Sequence, residues 1–307
     1  MMTNNSTGGV ISSMFNNNTT ASPGGVAETS ITPYGIFTTV IGILAVVLNG
    51  LLLIAMLRNT STIFTSNGAY LVANVAIADL LTGLNSSLWG LQNAFRPPEA
   101  LTDAMLSLYW TSIEASFLTI FVMSLERYIA IVFPFTAEVW LSKTRTIQSC
   151  VVVWIFSAVC GACITFSRFI ASFCLMVVFE ITILFTTFLY YKIFIKLGQR
   201  RACLPSLQLT SARGTCRNAE LQREYQLTTV VVALTFILIV TVLPYMVGGQ
   251  IMILAGRLPP VTKYPKLQLF LHYYLPVELM NFVLNPIVYA WRLPKYRFAL
   301  LQTLQFR

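Results

Sequence analysis

The ionisable side chains of this chain stand where almost nothing else is polar. Asp79 interrupts LVANVAIADLL, with Asn74 five residues before it, and Glu126 and Arg127 sit side by side in SLERYIAIVFPF. Glu114, Glu180 and Glu278 are each set among apolar neighbours. Asn49 lies in VVLNGLLL, Ser112 and Ser116 precede the Glu126–Arg127 pair, and Asn281 and Asn285 occupy NFVLNPIVY. A charge at the centre of a membrane helix costs about 2.5–3.5 kcal/mol, so each such residue is a candidate functional group. For a lone Ser or Asn the plainer reading is an interhelical hydrogen bond worth about 0.6 kcal/mol. That reading is weak for Asp79, because an ionised carboxylate at membrane depth needs a partner or a cation.

Covalent chemistry finds little support. His272 is the only histidine, near the outer edge, so a nucleophile–base pair or metal cluster is missing and the chain does not read as an enzyme. The CGAC at 160–163 lies within an apolar run without a second pair, which favours packing over zinc. Cys150, Cys160, Cys163 and Cys174 fall in apolar runs, Cys203 and Cys216 in an inner loop, and none in an outer segment, so no outer disulfide is expected.

The elements that must hold these residues follow from composition. The 307 residues are 56% hydrophobic and 10% charged, against about 25% charged in soluble domains. Mean hydropathy is +0.72. Seven apolar runs, 35–57, 69–92, 104–133, 147–167, 169–197, 225–255 and 267–290, reach the roughly 20 residues that a bilayer span requires. The fold class is all-α: a seven-transmembrane helix bundle over 35–290. With the N-terminus outside, fifteen Lys and Arg fall on the cytoplasmic side and five on the outer side, which sets the orientation. The net charge of +9 is therefore an inner-face property, and its division among short loops argues against nucleic-acid binding. Residues 1–34 hold no Lys or Arg and read as a disordered outer tail, in which Asn4, Asn5, Asn17 and Asn18 each begin a glycosylation sequon.

Six landmarks then stand in register with the spans: Asn49, Asp79, ERY at 126–128, Trp154, Pro244 and NPIVY at 285–289. Together they resemble the rhodopsin-like (class A) family of G-protein-coupled receptors. The resemblance implies a switch in which Glu126 holds Arg127, and Arg127 reaches Glu224 at the inner end of span six. Tyr190 and Tyr289 match tyrosines that support the open form, and Asn285 and Pro286 belong to the span-seven motif. It implies a buried sodium site at Asp79, Ser116, Asn281 and Asn285, with no other cofactor. It also implies G-protein contacts at Arg127, Pro134 and Phe135. Residues 291–307 follow as a short eighth helix on the membrane lipid: Pro294 can open it, and Phe298, Leu301 and Leu304 recur every three residues.

Several positions depart from the pattern. Thr102 replaces the cysteine that usually pins the second outer loop, little more than FSRF (166–169) separates spans four and five, and Thr182 replaces a proline. These absences resemble the branch holding melanocortin, lysophospholipid and cannabinoid receptors. Val242 stands where the family usually has a ligand-sensing tryptophan, although Pro244 still frees a carbonyl four residues earlier. At the amine-binding acid of span three stands Tyr109, which leaves a protonated monoamine without its usual counter-ion. Leu279 replaces the retinal lysine, which excludes covalent retinal. The implied ligand pocket is Trp89, Tyr109, Trp110, Glu114, Phe117, Tyr245 and Glu278, where Glu278 answers either to a cationic ligand group or to an internal polar partner.

The expected function is a plasma-membrane receptor, N-terminus extracellular, activated by a lipid mediator, small molecule or peptide. It would engage a heterotrimeric G protein by outward movement of span six. The alternatives are a constitutively active or non-signalling seven-helix protein and, less favoured, a transporter, which would show inverted repeats or paired broken helices.

Overall fold

The computed structural model describes residues 33–92, 97–202, 212–255 and 265–305. Side chains are described within them except at 138–139, 168–169, 200–202, 212–224, 255, 265 and 268. The sequons of the outer tail lie outside these residues.

Among the described residues, seven long helices cross the bundle and an eighth lies against its inner end. They are α1 (Pro33–Arg58), α2 (Gly68–Gly90), α3 (Glu99–Val132), α4 (Lys143–Phe166), α5 (Arg168–Ala202), α6 in two segments (Ala212–Thr241 and Leu243–Ala255), α7 (Pro265–Arg292) and α8 (Pro294–Leu304). Short helical turns at Thr60–Ile63 and Pro134–Trp140 fill the connections after α1 and α3. Six of the helices are long and apolar enough to span a membrane by length and composition. The remaining long helix, α7, is less apolar because it carries Glu278, Asn281 and Asn285, all fully buried in the bundle. Its polarity faces inward.

Lipid cannot drive helices together hydrophobically, so close packing must do it, and small residues let backbones approach. A Cβ built on Gly42 of α1 would stand 2.6 Å from the carbonyl oxygen of Gly83 on α2, and one on Gly83 2.7 Å from that of Gly42. Gly90 meets the Gly35 carbonyl at 2.5 Å in the same sense. On α4, the glycine of CGAC lies against α3: a Cβ at Gly161 would stand 2.6 Å from the Ser107 carbonyl oxygen. The motif is a packing device. Away from these seams, apolar side chains such as Phe37, Ile43, Val152, Ile155 and Phe185 are exposed, as a lipid-facing surface requires.

Three connections differ in extent from the sequence expectation. Helix α6 begins at Ala212, thirteen residues before the expected start at 225, because ARGTCRNAELQRE is a good helix former that needs no bilayer. Between α4 and α5 only Ser167 is non-helical, and Phe166 beside it is 89% exposed. Helix α5 runs without a break through Thr182, whose hydroxyl donates back to the Val178 carbonyl at 2.8 Å. In α8, Phe298, Leu301 and Leu304 are exposed on one face while Tyr296, Ala299 and Thr303 are buried on the other. Lys295 donates to Ser66 Oγ at 2.9 Å, tying α8 to the α1–α2 connection.

Candidate functional site

The polar landmarks form layers along the bundle. Innermost is the charged pair. Arg127 Nη2 lies 3.2 Å from Glu126 Oε1, with both side chains largely buried. Gly68 at the start of α2 packs beside them, a Cβ built there standing at an ordinary contact distance of 3.6 Å from Glu126 Oε2. One turn outward on α3, Ser124 Oγ and the Tyr190 hydroxyl of α5 share a hydrogen bond of 2.7 Å. Tyr190 also reaches Thr235 of α6 and feels the charge of Arg127. Tyr190 thus joins α3, α5 and α6 in this arrangement, one in which the sequence reading gave it no role. The backbone of Glu224 lies in the inner segment of α6, but its side chain lies outside the described ones. Below the pair, Pro134 occupies the first turn of its short helix, where its missing N–H costs nothing. Phe135 is 96% exposed there.

The second layer centres on Asp79, fully buried on α2. Ser116 Oγ donates to Asp79 Oδ1 at 2.6 Å, and Asn285 Nδ2 donates to Oδ2 at 2.7 Å. Asn49 Nδ2 donates to the carbonyls of Ala45 and Phe282, both at 2.9 Å, which ties α1 to α7. The side-chain oxygens of Asn281 and Asn285 and the Tyr289 hydroxyl are buried without a hydrogen-bond partner among the described residues. One carboxylate and several neutral oxygens form a donor set suited to a hard monovalent cation. Three of the four expected residues are joined by hydrogen bonds, and the fourth, Asn281, is buried with unused polar atoms. Beside this layer Trp154 Nε1 donates to Asn74 Oδ1 at 2.8 Å, and Asn74 Nδ2 donates to Thr119 Oγ1 at 2.7 Å, linking α4, α2 and α3.

The third layer is the break in α6. Thr241 ends one segment and Leu243 begins the next, with Val242 fully buried between them. Pro244 has no N–H to give the carbonyl of Val240. The Tyr274 hydroxyl of α7 donates to that carbonyl at 2.7 Å. The orphaned acceptor follows from the sequence; its partner, thirty-four residues away, does not. Tyr274 is therefore a residue to which the sequence assigned no part in this break.

In the outer layer the expected pocket residues separate into two groups. Trp89 and Tyr109 line a narrow cleft with Thr38, Ser86, Leu106, Leu275 and Leu279. Glu278 stands between Leu275 and Leu279 in the sequence of α7, and its charge is felt by Tyr34, Tyr109 and Tyr245. Trp110 stands edge-on to Tyr109, ring centroids 6.4 Å apart. Phe117 lies elsewhere, its ring centroid 4.6 Å from that of Phe179, lining a second small space with Thr182, Thr186 and Thr235. Glu114, buried on α3, is among the lining residues of neither space. Tyr34, stacked on His272 at 4.1 Å, joins the outer group unanticipated, because it sits at the ragged start of α1.

Comparison with known proteins bears on the fold that holds these layers. Residues 48–168 match the family model described as "7 transmembrane receptor (rhodopsin family)". Over 133 residues the chain is 32% identical to Melanopsin-B of Xenopus laevis, an overlap of 40% of this chain and 23% of that protein, so the chain spans under a quarter of that relative's length. The crystal structure of squid rhodopsin superposes with a TM-score of 0.77 at 18% identity, covering 95% of this chain and 91% of that one, which speaks to the fold.

Proposed function

We propose that this chain, a rhodopsin-like (class A) seven-transmembrane receptor, takes up an extracellular ligand in its outer cleft and activates a heterotrimeric G protein at its inner face. The observation that carries the reading is the Glu126–Arg127 pair, held at 3.2 Å beneath a tyrosine that bridges α3, α5 and α6. A charge-assisted pair near the inner surface is stable while water and partners are excluded, and it is easily exchanged for another acceptor when a helix moves. The second partner in the closed form is Glu224, on the inner segment of α6. Outward movement of α6 separates Arg127 from Glu224 and opens a cleft beside Phe135, whose exposed ring is available to the G protein. Ligand and G protein then favour the same open state from opposite faces, so each strengthens the binding of the other. Sodium at Asp79 favours the closed state by neutralising the buried carboxylate. The setting is the plasma membrane, with the N-terminal tail and its sequons outside.

The test is a G-protein activation assay in cells, comparing the native chain with Arg127→Ala at matched surface expression. The native chain is expected to promote nucleotide exchange and the variant to lose it. Equal signals from the two refute the mechanism.

A further inference from the structure

Among the buried acids, Glu278 is the one the protein leaves without service. Asp79 receives a hydrogen bond on each oxygen, Glu126 holds Arg127, and Glu114 has one orphaned oxygen. Glu278 is 0% exposed, and neither carboxylate oxygen has a hydrogen-bond partner among the described residues. An acid so placed is costly to ionise until a compensating charge arrives. What surrounds it is aromatic: Tyr34 of α1, Tyr109 of α3 and Tyr245 of α6 are all within its electrostatic reach, and the Tyr109 hydroxyl is itself buried without a partner. Toward the outer end of α7, the Tyr274 hydroxyl is committed to the Val240 carbonyl and His272 is engaged with the rings of Tyr34 and Tyr273.

We infer that Glu278 is the counter-ion for a protonated amine or guanidine group of the ligand, received through the cleft between α1, α2, α3 and α7. The inference rests on the receptor reading and adds the ligand's chemical class to it. Leu275 and Leu279, which flank Glu278 on α7, line the cleft together with Tyr109, which lies within electrostatic reach of the acid. The acid that α3 lacks at Tyr109 is thus supplied across the same space by α7. Tyrosine rings around the carboxylate offer faces to a cation, and their hydroxyls accept its remaining hydrogen bonds. The rest of the cleft, Trp89, Leu106, Leu275 and Leu279, is apolar or aromatic, so the cation must carry a hydrophobic body. The acid fixes one end and the apolar walls hold the other.

The experiment uses the full chain purified in lipid nanodiscs and reads thermal unfolding against millimolar probes. The probes are 2-phenylethylamine and agmatine, with 2-phenylethanol as the neutral counterpart. The cationic probes are expected to raise the melting temperature of the native chain, and 2-phenylethanol is not. In Glu278→Gln the half-effective concentration is expected to rise roughly 30-fold or more, as when one partner of a buried charge pair is lost. Glu278→Asp keeps the charge and is expected to retain part of the effect. Ligand-free melting of both variants is recorded first, and if Glu278→Gln does not fold, the shift in Glu278→Asp decides. No stabilisation of the native chain by either cation overturns the inference, as does an undiminished response in the folded variant or equal stabilisation by the alcohol. Nucleotide exchange is measured in parallel. Glu278-dependent binding without exchange removes the receptor reading and leaves the site; exchange driven by the alcohol alone does the reverse.

Discussion

Replacing Tyr274 by Phe removes one hydroxyl and leaves the ring. In the native chain that hydroxyl donates at 2.7 Å to the Val240 carbonyl, whose own helical donor is missing because residue 244 is proline. A net hydrogen bond contributes about 0.5–1.5 kcal/mol, and this one lies in a partly accessible place, so about 1 kcal/mol is the expected loss. That corresponds to roughly a fivefold change in any equilibrium that breaks the contact. The contact joins α7 to the break in α6, so the loss should favour whatever arrangement parts them there. A double-mutant cycle isolates the cause. Pro244→Ala restores an N–H for the Val240 carbonyl, and in that background Tyr274→Phe should cost close to nothing. Thermal unfolding in nanodiscs gives the stabilities, and spin-label distances between the inner ends of α3 and α6 give the populations. If Tyr274→Phe costs the same in both backgrounds, the tyrosine acts through something other than the proline break, and the reasoning fails.

Other expectations follow from the remaining layers. Asp79→Asn should abolish the stabilisation that sodium, against N-methylglucamine, gives the native chain in thermal unfolding; an unchanged sodium response would remove the cation site. Gly161→Val forces a side chain into the Ser107 carbonyl and should destabilise by about 1–3 kcal/mol or prevent surface expression, whereas the same change at Gly198, which has nothing within 4 Å, should be tolerated far better. Phe135→Ala removes an exposed ring and should leave the melting temperature unchanged while weakening G-protein coupling in the exchange assay.

Much of this organisation was readable from the order of residues alone. Apolar runs of spanning length predicted every long helix, because lipid forbids unsatisfied backbone and leaves the chain few alternatives. Asp79, Ser116 and Asn285 meet as expected, and Glu126 holds Arg127, because polar residues in such runs must find one another. The inner reach of α6 was not readable from hydropathy, since the segment from Ala212 is helical without being apolar. Nor was the division of the outer residues: Glu114 and Glu278 look alike in sequence, yet Glu278 lies within electrostatic reach of four tyrosines and has both oxygens buried without a partner, whereas Glu114 has one such oxygen. Tyr274 stayed hidden, its partner being a backbone atom on another helix.

The glycines divide the bundle mechanically. Along α1–α2 and α3–α4 they oppose backbone carbonyls, which cannot yield, so those helices form a stiff chassis. On α6, Gly248 and Gly249 oppose the tips of Leu271 and Met176, side chains that can rotate aside. One flank of the molecule is keyed like a joint and the other rides on soft bearings. The flank that carries the proline break is thus the one whose glycines meet side chains rather than backbone.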